Sequence, residues 1–99
     1  MIAFKTMWKD ISEILGNEDQ PLDFKVVERF TNGFVVREND DTTFITKEDF
    51  VDFWCKLLYY NKISKNEVLK DQLKSKYIYD LVKKLPYVIE KQEILTLEE

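Results

Sequence analysis

Apolar residues recur every three or four positions over the first sixteen residues of the chain. This period is that of an amphipathic helix, whose apolar side faces a core. Gly16 follows the last apolar position and is a common helix-ending residue. The pattern therefore predicts a helix over residues 1–16. Its apolar positions are Phe4, Met7, Trp8, Ile11, Ile14 and Leu15.

The pattern then changes to short runs of branched and aromatic residues between residues 24 and 45. The segment "FKVVERFTNGFVVRE" holds two such runs around Asn32-Gly33. This pair tolerates the positive φ angles of a tight hairpin turn. The segment "ENDD" predicts a further turn, and "TTFI" predicts a short third strand. Residues 24–45 are therefore predicted to form a β-hairpin or meander.

A second helix is predicted over "TKEDFVDFWCKLLYY", where the hydroxyl of Thr46 is placed to cap the helix start. Cys55 stands among the apolar residues, so its thiol is predicted to be buried, and a single cysteine forms no internal disulfide. The predicted core side of this helix consists of Phe50, Phe53, Trp54, Leu57 and Leu58.

Two more helices and a hairpin complete the pattern. The segment "SKNEVLKDQL" begins with Ser64 and Glu67 at capping-box spacing and predicts about two turns of helix. The segment "KYIYDLVKKL" predicts a helix that Pro86 ends. The segment "YVIEKQEILTLEE" predicts a hairpin around Lys91-Gln92. The buried stripe of the last helix is predicted to be Ile78, Leu81, Val82 and Leu85.

Helix, short helix, helix and hairpin is the element order of the winged helix-turn-helix superfamily, which residues 46–97 resemble. The resemblance implies that the second and third helices of this unit form a helix-turn-helix. It also implies that the third helix enters a DNA groove and that "IEKQEI" is the wing. The predicted fold class is α+β, a winged-helix-like unit preceded by a helix and a β-hairpin, in one domain of residues 1–99.

Length and composition limit the class of protein. A chain of 99 residues with 44% hydrophobic residues suffices for one core. No apolar run reaches the roughly 18 residues that span a bilayer, and the first residues do not resemble a secretory signal. We therefore expect a cytoplasmic protein that does not enter membranes.

Positive charge is concentrated in one stretch of an acidic chain. The net charge is -4, yet residues 61–85 carry seven lysines and three acids, whereas residues 1–55 carry six basic and twelve acidic residues. With the buried stripe inward, the third helix of the unit is predicted to expose Lys76, Tyr79, Asp80 and Lys83. The predicted nucleic-acid contacts are Lys62, Lys65, Lys70, Lys74, Lys76, Tyr77, Tyr79, Lys83 and Lys84.

Two functions remain open from the sequence. The first is a small nucleic-acid-binding regulator of prokaryotic or viral type that contacts double-stranded DNA through the third helix. Arginine is absent from residue 38 onward, which favours phosphate contact over base reading. The second is a protein-interaction module, as an adaptor, accessory subunit or inhibitor, that uses its acidic N-terminal half or its aromatic residues. A homodimer through the N-terminal helix is expected in addition.

The residues needed for catalysis are missing from the sequence. With no histidine and one cysteine, the chain offers neither a histidine-based triad nor a thiolate zinc site. Its two glycines lie far apart and form no phosphate-binding loop. Clusters of acids at residues 38–41 and 48–52 are interpreted as turn and cap residues. We therefore predict a protein that is not an enzyme and needs no metal or cofactor.

Overall fold

A computed structural model describes residues 3–16, 24–71 and 73–97, with the side chains of 69–71 and 73 left aside. Within these described residues, four helices and six strands form a mixed α+β fold with two small antiparallel sheets. The helices are α1 (Phe4–Gly16), α2 (Lys47–Tyr60), α3 (Lys65–Asp71) and α4 (Leu73–Val82). The strands are β1 (Lys25–Phe30), β2 (Gly33–Glu38), β3 (Asp41–Thr46), β4 (Ile63–Ser64), β5 (Val88–Lys91) and β6 (Ile94–Leu97).

Helix α1 packs its apolar side against the core of its own chain. Met7 and Ile11 are fully buried, and the Trp8 ring meets the Phe50 ring of α2 edge-on, with the ring centroids 5.3 Å apart. The amphipathic pattern is therefore confirmed. The homodimer was predicted because the apolar side of α1 needed a partner. In the structure α2 of the same chain covers that side, so this reason for a dimer no longer applies. The oligomeric state itself stays a prediction.

Strands β1, β2 and β3 form the N-terminal sheet in that order, as predicted for this segment. Phe34, Val36 and Ile45 are its fully buried residues. The β1–β2 turn consists of Thr31 and Asn32, with Phe30 paired to Gly33. No positive φ angle occurs at Asn32 or Gly33, although the next turn has one at Asn39. The hairpin is confirmed, but the expected role of Gly33 in the turn is wrong.

Gly33 is required because another strand passes close to it. A Cβ atom at this position would lie 2.6 Å from the carbonyl oxygen of Ile45 and 3.2 Å from the Cα of Thr46, both backbone atoms of β3. Backbone in the middle of a paired strand cannot withdraw without breaking its ladder. The glycine therefore allows β2 and β3 to approach closely where Lys47 begins α2.

Strands β4, β6 and β5 form the C-terminal sheet, with β6 in the middle. The β5–β6 turn uses Gln92 and Glu93, both with positive φ angles of 53° and 62°. This is the conformation of a type I′ hairpin turn. The hairpin is confirmed, with its turn one residue later than predicted. The carbonyl of Glu93 also accepts a hydrogen bond from the backbone amide of Lys65, at 2.8 Å, which ties the hairpin to α3.

Local caps define where α2 and α3 begin. Thr46 Oγ1 accepts a hydrogen bond from the Asp49 amide at 3.2 Å, and the Thr46 amide donates to Asp49 Oδ2 at 2.9 Å. This reciprocal pair is a capping box. Ser64 Oγ accepts from the Glu67 amide in the same way, at 3.2 Å. The predicted cap at Thr46 is thus confirmed, and at Ser64 one of the two bonds of the predicted capping box is present. The buried side of α2 consists of Phe50, Phe53, Trp54 and Leu57.

The prediction of a buried thiol at Cys55 is wrong, because this residue is exposed. Trp54 is almost fully buried, and the next residue of a helix points about 100° away. The apolar neighbours of Cys55 in sequence therefore lie on the other side of α2.

Helix α4 ends at Val82, three residues before the predicted end at Leu85. The Lys84 and Leu85 amides donate to the carbonyls of Leu81 and Val82, which are only three residues back. This tighter winding closes the helix before Pro86, and it brings Leu85 into the core as predicted.

Six successive residues of α4, Tyr77 to Val82, are each no more than 7% exposed. Since successive residues step about 100° around a helix, they cover all its sides. The structure therefore contradicts the predicted exposure of Tyr79 and Asp80. Helices α1, α2 and α3 and strand β3 contact α4 and cover it.

None of the helices within the described residues is long and apolar enough to cross a membrane. The expected cytoplasmic location stays a prediction.

Replacing Trp54 with alanine should destabilise the fold by about 3 to 5 kcal/mol, because a large buried ring leaves a cavity that the surroundings fill only in part. Urea unfolding followed by circular dichroism measures this change. The exposed neighbour on the same helix supplies the control, and Cys55→Ala should change stability by less than about 0.5 kcal/mol. A loss below about 1 kcal/mol for Trp54→Ala would contradict the described core.

Replacing Gly33 with alanine should cost about 1 to 3 kcal/mol, since the added methyl group meets the β3 backbone. Gly16→Ala is the matched control. Its methyl group would meet only the end of the Arg29 side chain, which is free to rotate away. Thermal unfolding should therefore separate the two variants, with Gly33→Ala melting several degrees lower. Equal melting temperatures would show that β2 and β3 are not in close contact at this point.

Candidate functional site

Three of the predicted DNA-contacting lysines form ion pairs within the chain. Lys74 lies 3.5 Å from Asp49 of α2, Lys76 lies 3.1 Å from Glu38 of β2, and Lys83 lies 3.6 Å from Asp80. Each pair offsets one positive charge by a neighbouring carboxylate. The positive potential of this stretch is therefore lower than the lysine count of the sequence implies.

The pair of Lys76 and Glu38 connects α4 to the N-terminal sheet across 38 positions of sequence. The Lys76 ammonium donates to both carboxylate oxygens, at 3.1 and 3.4 Å. The hydrogen bond to Glu38 and the charge of that carboxylate raise the pKa of Lys76. Lys76 also lies over the Tyr77 ring, 5.8 Å from its centroid. This lysine is therefore held in place by its own chain.

Tyr77 and Tyr79 are buried, so their predicted contact with nucleic-acid bases is not available in this fold. The Tyr77 ring meets the Phe24 ring edge-on at 4.9 Å, and Tyr79 donates a 2.5 Å hydrogen bond to Glu90 of β5. Burial is the main cause that raises the pKa of both phenols. The sequence pattern failed here because a tyrosine fits a helix surface and a core equally well when its hydroxyl finds a partner.

The remaining predicted lysines are less constrained. Lys62, Lys65 and Lys84 form no ion pair with any residue that the structure describes, and Lys62 is exposed. The side chain of Lys70 lies outside the described part. Lys62 precedes α3, Lys65 begins it, and Lys84 follows α4. None of these three lysines lines the centre of α4. The structure thus leaves single positive charges at the margins of the predicted site.

Three exposed apolar side chains lie elsewhere, on the N-terminal sheet. Phe30 and Phe44 are 50% and 46% exposed, and Val27 is exposed beside a β-bulge in β1. We call Phe30 and Phe44 the aromatic patch. These residues are not among the predicted contacts, although one signal was present in the sequence. Phe44 precedes the buried Ile45, and alternation along a strand places such neighbours on opposite faces.

The two phenylalanine rings of the aromatic patch stand together, with their centroids 5.8 Å apart. The Phe44 ring also comes within 3.4 Å of the position that a Gly33 Cβ would occupy, so it lies over the glycine. The rings border a shallow depression whose edges carry Arg29, Lys47 and Glu48. An apolar centre with charged edges of both signs is typical of a protein-binding surface.

A second exposed aromatic pair ends α2. Tyr59 and Tyr60 are both exposed, and their rings meet at 4.8 Å in an edge-on arrangement. Such side chains offer a large contact area with a hydroxyl at the edge.

The acidic clusters serve local structure where their contacts are described. Asp49 caps α2 and also pairs with Lys74. Within residues 3–16, 24–71 and 73–97, no group of three or more acidic or cysteine side chains stands in an arrangement that holds a metal ion.

Comparison with known proteins gives no relative, because no protein-family model, no curated protein and no solved structure matches the chain.

Stability should fall at alkaline pH because of the buried phenol of Tyr79 and the partly buried phenol of Tyr87. Burial and hydrogen bonds to Glu90 and Asp10 raise the pKa of Tyr79 and Tyr87. An unfolded tyrosine ionises near about pH 10. The stabilisation is thus complete below that pH and is lost as pH rises toward the folded pKa. The free energy of unfolding in urea should therefore drop steeply above about pH 10.

The variants Tyr79→Phe and Tyr87→Phe should each flatten this alkaline drop, because phenylalanine has no proton to lose. The control is Tyr59→Phe, whose side chain is exposed. This variant should show the same dependence of the free energy of unfolding on pH as the unsubstituted chain. Identical alkaline slopes in all three variants would contradict the described hydrogen bonds.

Proposed function

We propose that the chain is a non-enzymatic protein-interaction module on a winged-helix scaffold, and that it contacts its partner through the aromatic patch. One observation carries the proposal. Residues 77–82 of the helix expected to read DNA are buried, whereas the largest exposed apolar side chains of the N-terminal sheet stand together.

The element order supports the winged-helix part of the proposal. Helices α2, α3 and α4 are followed by the β5–β6 hairpin, which is the order that the resemblance implies. The short strand β4 pairs with β6, so the hairpin is joined to the segment between α2 and α3. The hairpin would be the wing of such a unit.

Burial of its residues and pairing of its charges both argue against α4 as a DNA-reading helix. A recognition helix must expose several side chains to a groove, and residues 77–82 expose almost none. The N-terminal sheet also contributes to the cover, through Glu38 bound to Lys76 and the ring of Phe24 against Tyr77. DNA could therefore read residues 77–82 only after these covering residues moved away.

The aromatic patch indicates what kind of partner it fits. Phenylalanine rings in the centre of an interface gain most when a partner side chain excludes water from them. The surrounding Arg29, Lys47 and Glu48 carry both signs of charge. The partner surface should therefore be apolar in its centre and should carry both acidic and basic residues at its edge.

DNA binding is the second candidate function, and the lysines at the margins favour it. Lys62, Lys65 and Lys84 have no ion pair among the described residues, and ammonium groups of this kind bind phosphates without reading bases. On this alternative the affinity for all duplex sequences would be similar and would fall steeply with salt.

The two candidates are separated by photo-cross-linking combined with a DNA titration. Benzoylphenylalanine replaces Phe44, and the chain is irradiated in cells of its source. We expect a defined cross-linked product that the additional change Phe30→Ser abolishes, because the partner needs both rings. A product of twice the chain mass would identify the partner as a second copy. The control places the cross-linker at Glu13, an exposed residue of α1.

Fluorescence anisotropy with a labelled random duplex supplies the other half of the test. The proposal predicts no salt-dependent binding at micromolar protein. Micromolar binding that weakens steeply between about 50 and 200 mM salt, and that Lys62→Glu with Lys65→Glu removes, would support the DNA alternative. That result together with absent cross-links at position 44 would overturn the proposal.

A further inference from the structure

A groove of about 590 Å³ lies between α2, β4, α3 and α4, away from the aromatic patch. Its floor is apolar, and each of the four elements contributes one residue to it. These floor residues are Phe53, Ile63, Val68 and Ile78. A concave site of this size with an apolar floor is typical of a binding site.

Helix α2 forms one long wall of the groove. Its lining residues Asp49, Asp52, Lys56 and Tyr60 are spaced by three or four positions and so share one side of the helix. The wall extends from the first turn of α2 to its last, over about 16 Å. Residues of α3 and α4 form the facing wall, with Glu67 and Ser75 among them.

The charges of the groove differ along its length. At one end Lys74 of α4 pairs with Asp49 of α2, at 3.5 Å, and joins the two walls. Further along, the exposed side chains of Asp52 and Lys56 line the α2 wall, and the exposed carboxylate of Glu67 lines the facing wall. At the other end the exposed Lys62 has no partner among the described residues. A ligand with charges of only one sign would be repelled at one of these places. The lining therefore fits a ligand that carries both positive and negative charges.

The shape of the groove favours a helix over a strand. Its walls are helices, whose side-chain rows accept the rows of a third helix. A peptide strand would need a free sheet edge, and β4 is only two residues long. About three helical turns match the length of the α2 wall.

We infer that the groove is a second docking site, which binds an amphipathic helix of a partner protein with apolar residues at i, i+3, i+4 and i+7 and mixed charges beside them. The apolar side chains of that helix lie over the floor. Its basic residues pair with Asp52 and Glu67, and an acidic residue pairs with Lys62. The inference extends the proposed function, because two separate docking sites make the chain an adaptor, but it rests on different residues.

Three synthetic peptides test the charge pattern. Each has 14 residues and the same leucines at i, i+3, i+4, i+7 and i+11. The polar positions are mixed Lys and Glu in the first peptide, all Lys in the second and all Glu in the third. In titrations followed by ¹H–¹⁵N NMR, the mixed peptide should bind at least tenfold tighter than either of the others. The chemical-shift changes that this peptide causes in the protein should concentrate in residues 49–68 and 74–78.

Surface variants show whether the peptide occupies the groove. Ser75→Trp places a large ring in the groove from its edge and should weaken binding of the mixed peptide at least tenfold. Ser12→Trp, at an exposed serine of α1, should leave it unchanged. Lys62→Glu should weaken binding severalfold, whereas Lys91→Glu at the β5–β6 hairpin should not. Circular dichroism confirms that each variant folds.

Equal affinity for the three peptides, or unchanged binding to Ser75→Trp, would overturn the inference. The double variant Phe30→Ser with Phe44→Ser separates it from the proposed function. This variant should bind the mixed peptide normally while losing the cross-linking partner. Shift changes confined to the aromatic patch would also overturn the groove assignment, and they would leave the proposed function intact.

Discussion

The burial of α4 determines how the other elements are arranged. A helix with six successive buried residues needs neighbours from several parts of the chain, and here α1, α2, α3 and β3 supply them. Its tyrosine hydroxyl must also find an acceptor, since an unpaired buried phenol is costly. Glu90 of β5 is that acceptor for Tyr79, so the C-terminal hairpin is held against the same helix. Tyr87, just after α4, donates to Asp10 of α1 at 2.7 Å and ties the two ends of the fold together.

The uneven distribution of charge along the sequence is explained in part by ion pairs between the two halves of the chain. Acids of the N-terminal half face lysines of the C-terminal half, as in the pairs of Glu38 with Lys76 and Asp49 with Lys74. Half-exposed pairs of this kind add little stability each. Their effect is on the placement of the N-terminal sheet against α4, because a positively charged sheet edge would be repelled by the lysines of α4. The groove and the aromatic patch are then the surfaces that this internal pairing leaves for other molecules.

Elements set by short-range signals could be predicted from the sequence, and features set by distant residues could not. Thr46 with Asp49 and Ser64 with Glu67 act across three positions, and both caps are where the sequence placed them. Periodicity likewise located the buried side of α2. The surroundings of Tyr79 depend on β5, and those of Lys76 on a residue 38 positions earlier. Because the apolar stripe of α4 is flanked by tyrosines, its pattern resembled a helix with one free side. The groove needs four elements at once, so no single segment indicates it.

The cover over α4 also affects the order of events during synthesis. The N-terminal sheet leaves the ribosome well before α4, yet Phe24 contacts Tyr77 and Glu38 contacts Lys76. Until those partners emerge, the apolar face of the sheet has nothing from α4 to pack against. Contacts between such distant residues form slowly because long loops must close first. During synthesis the sheet therefore exposes apolar surface that the finished fold covers, and exposed surface of this kind favours aggregation.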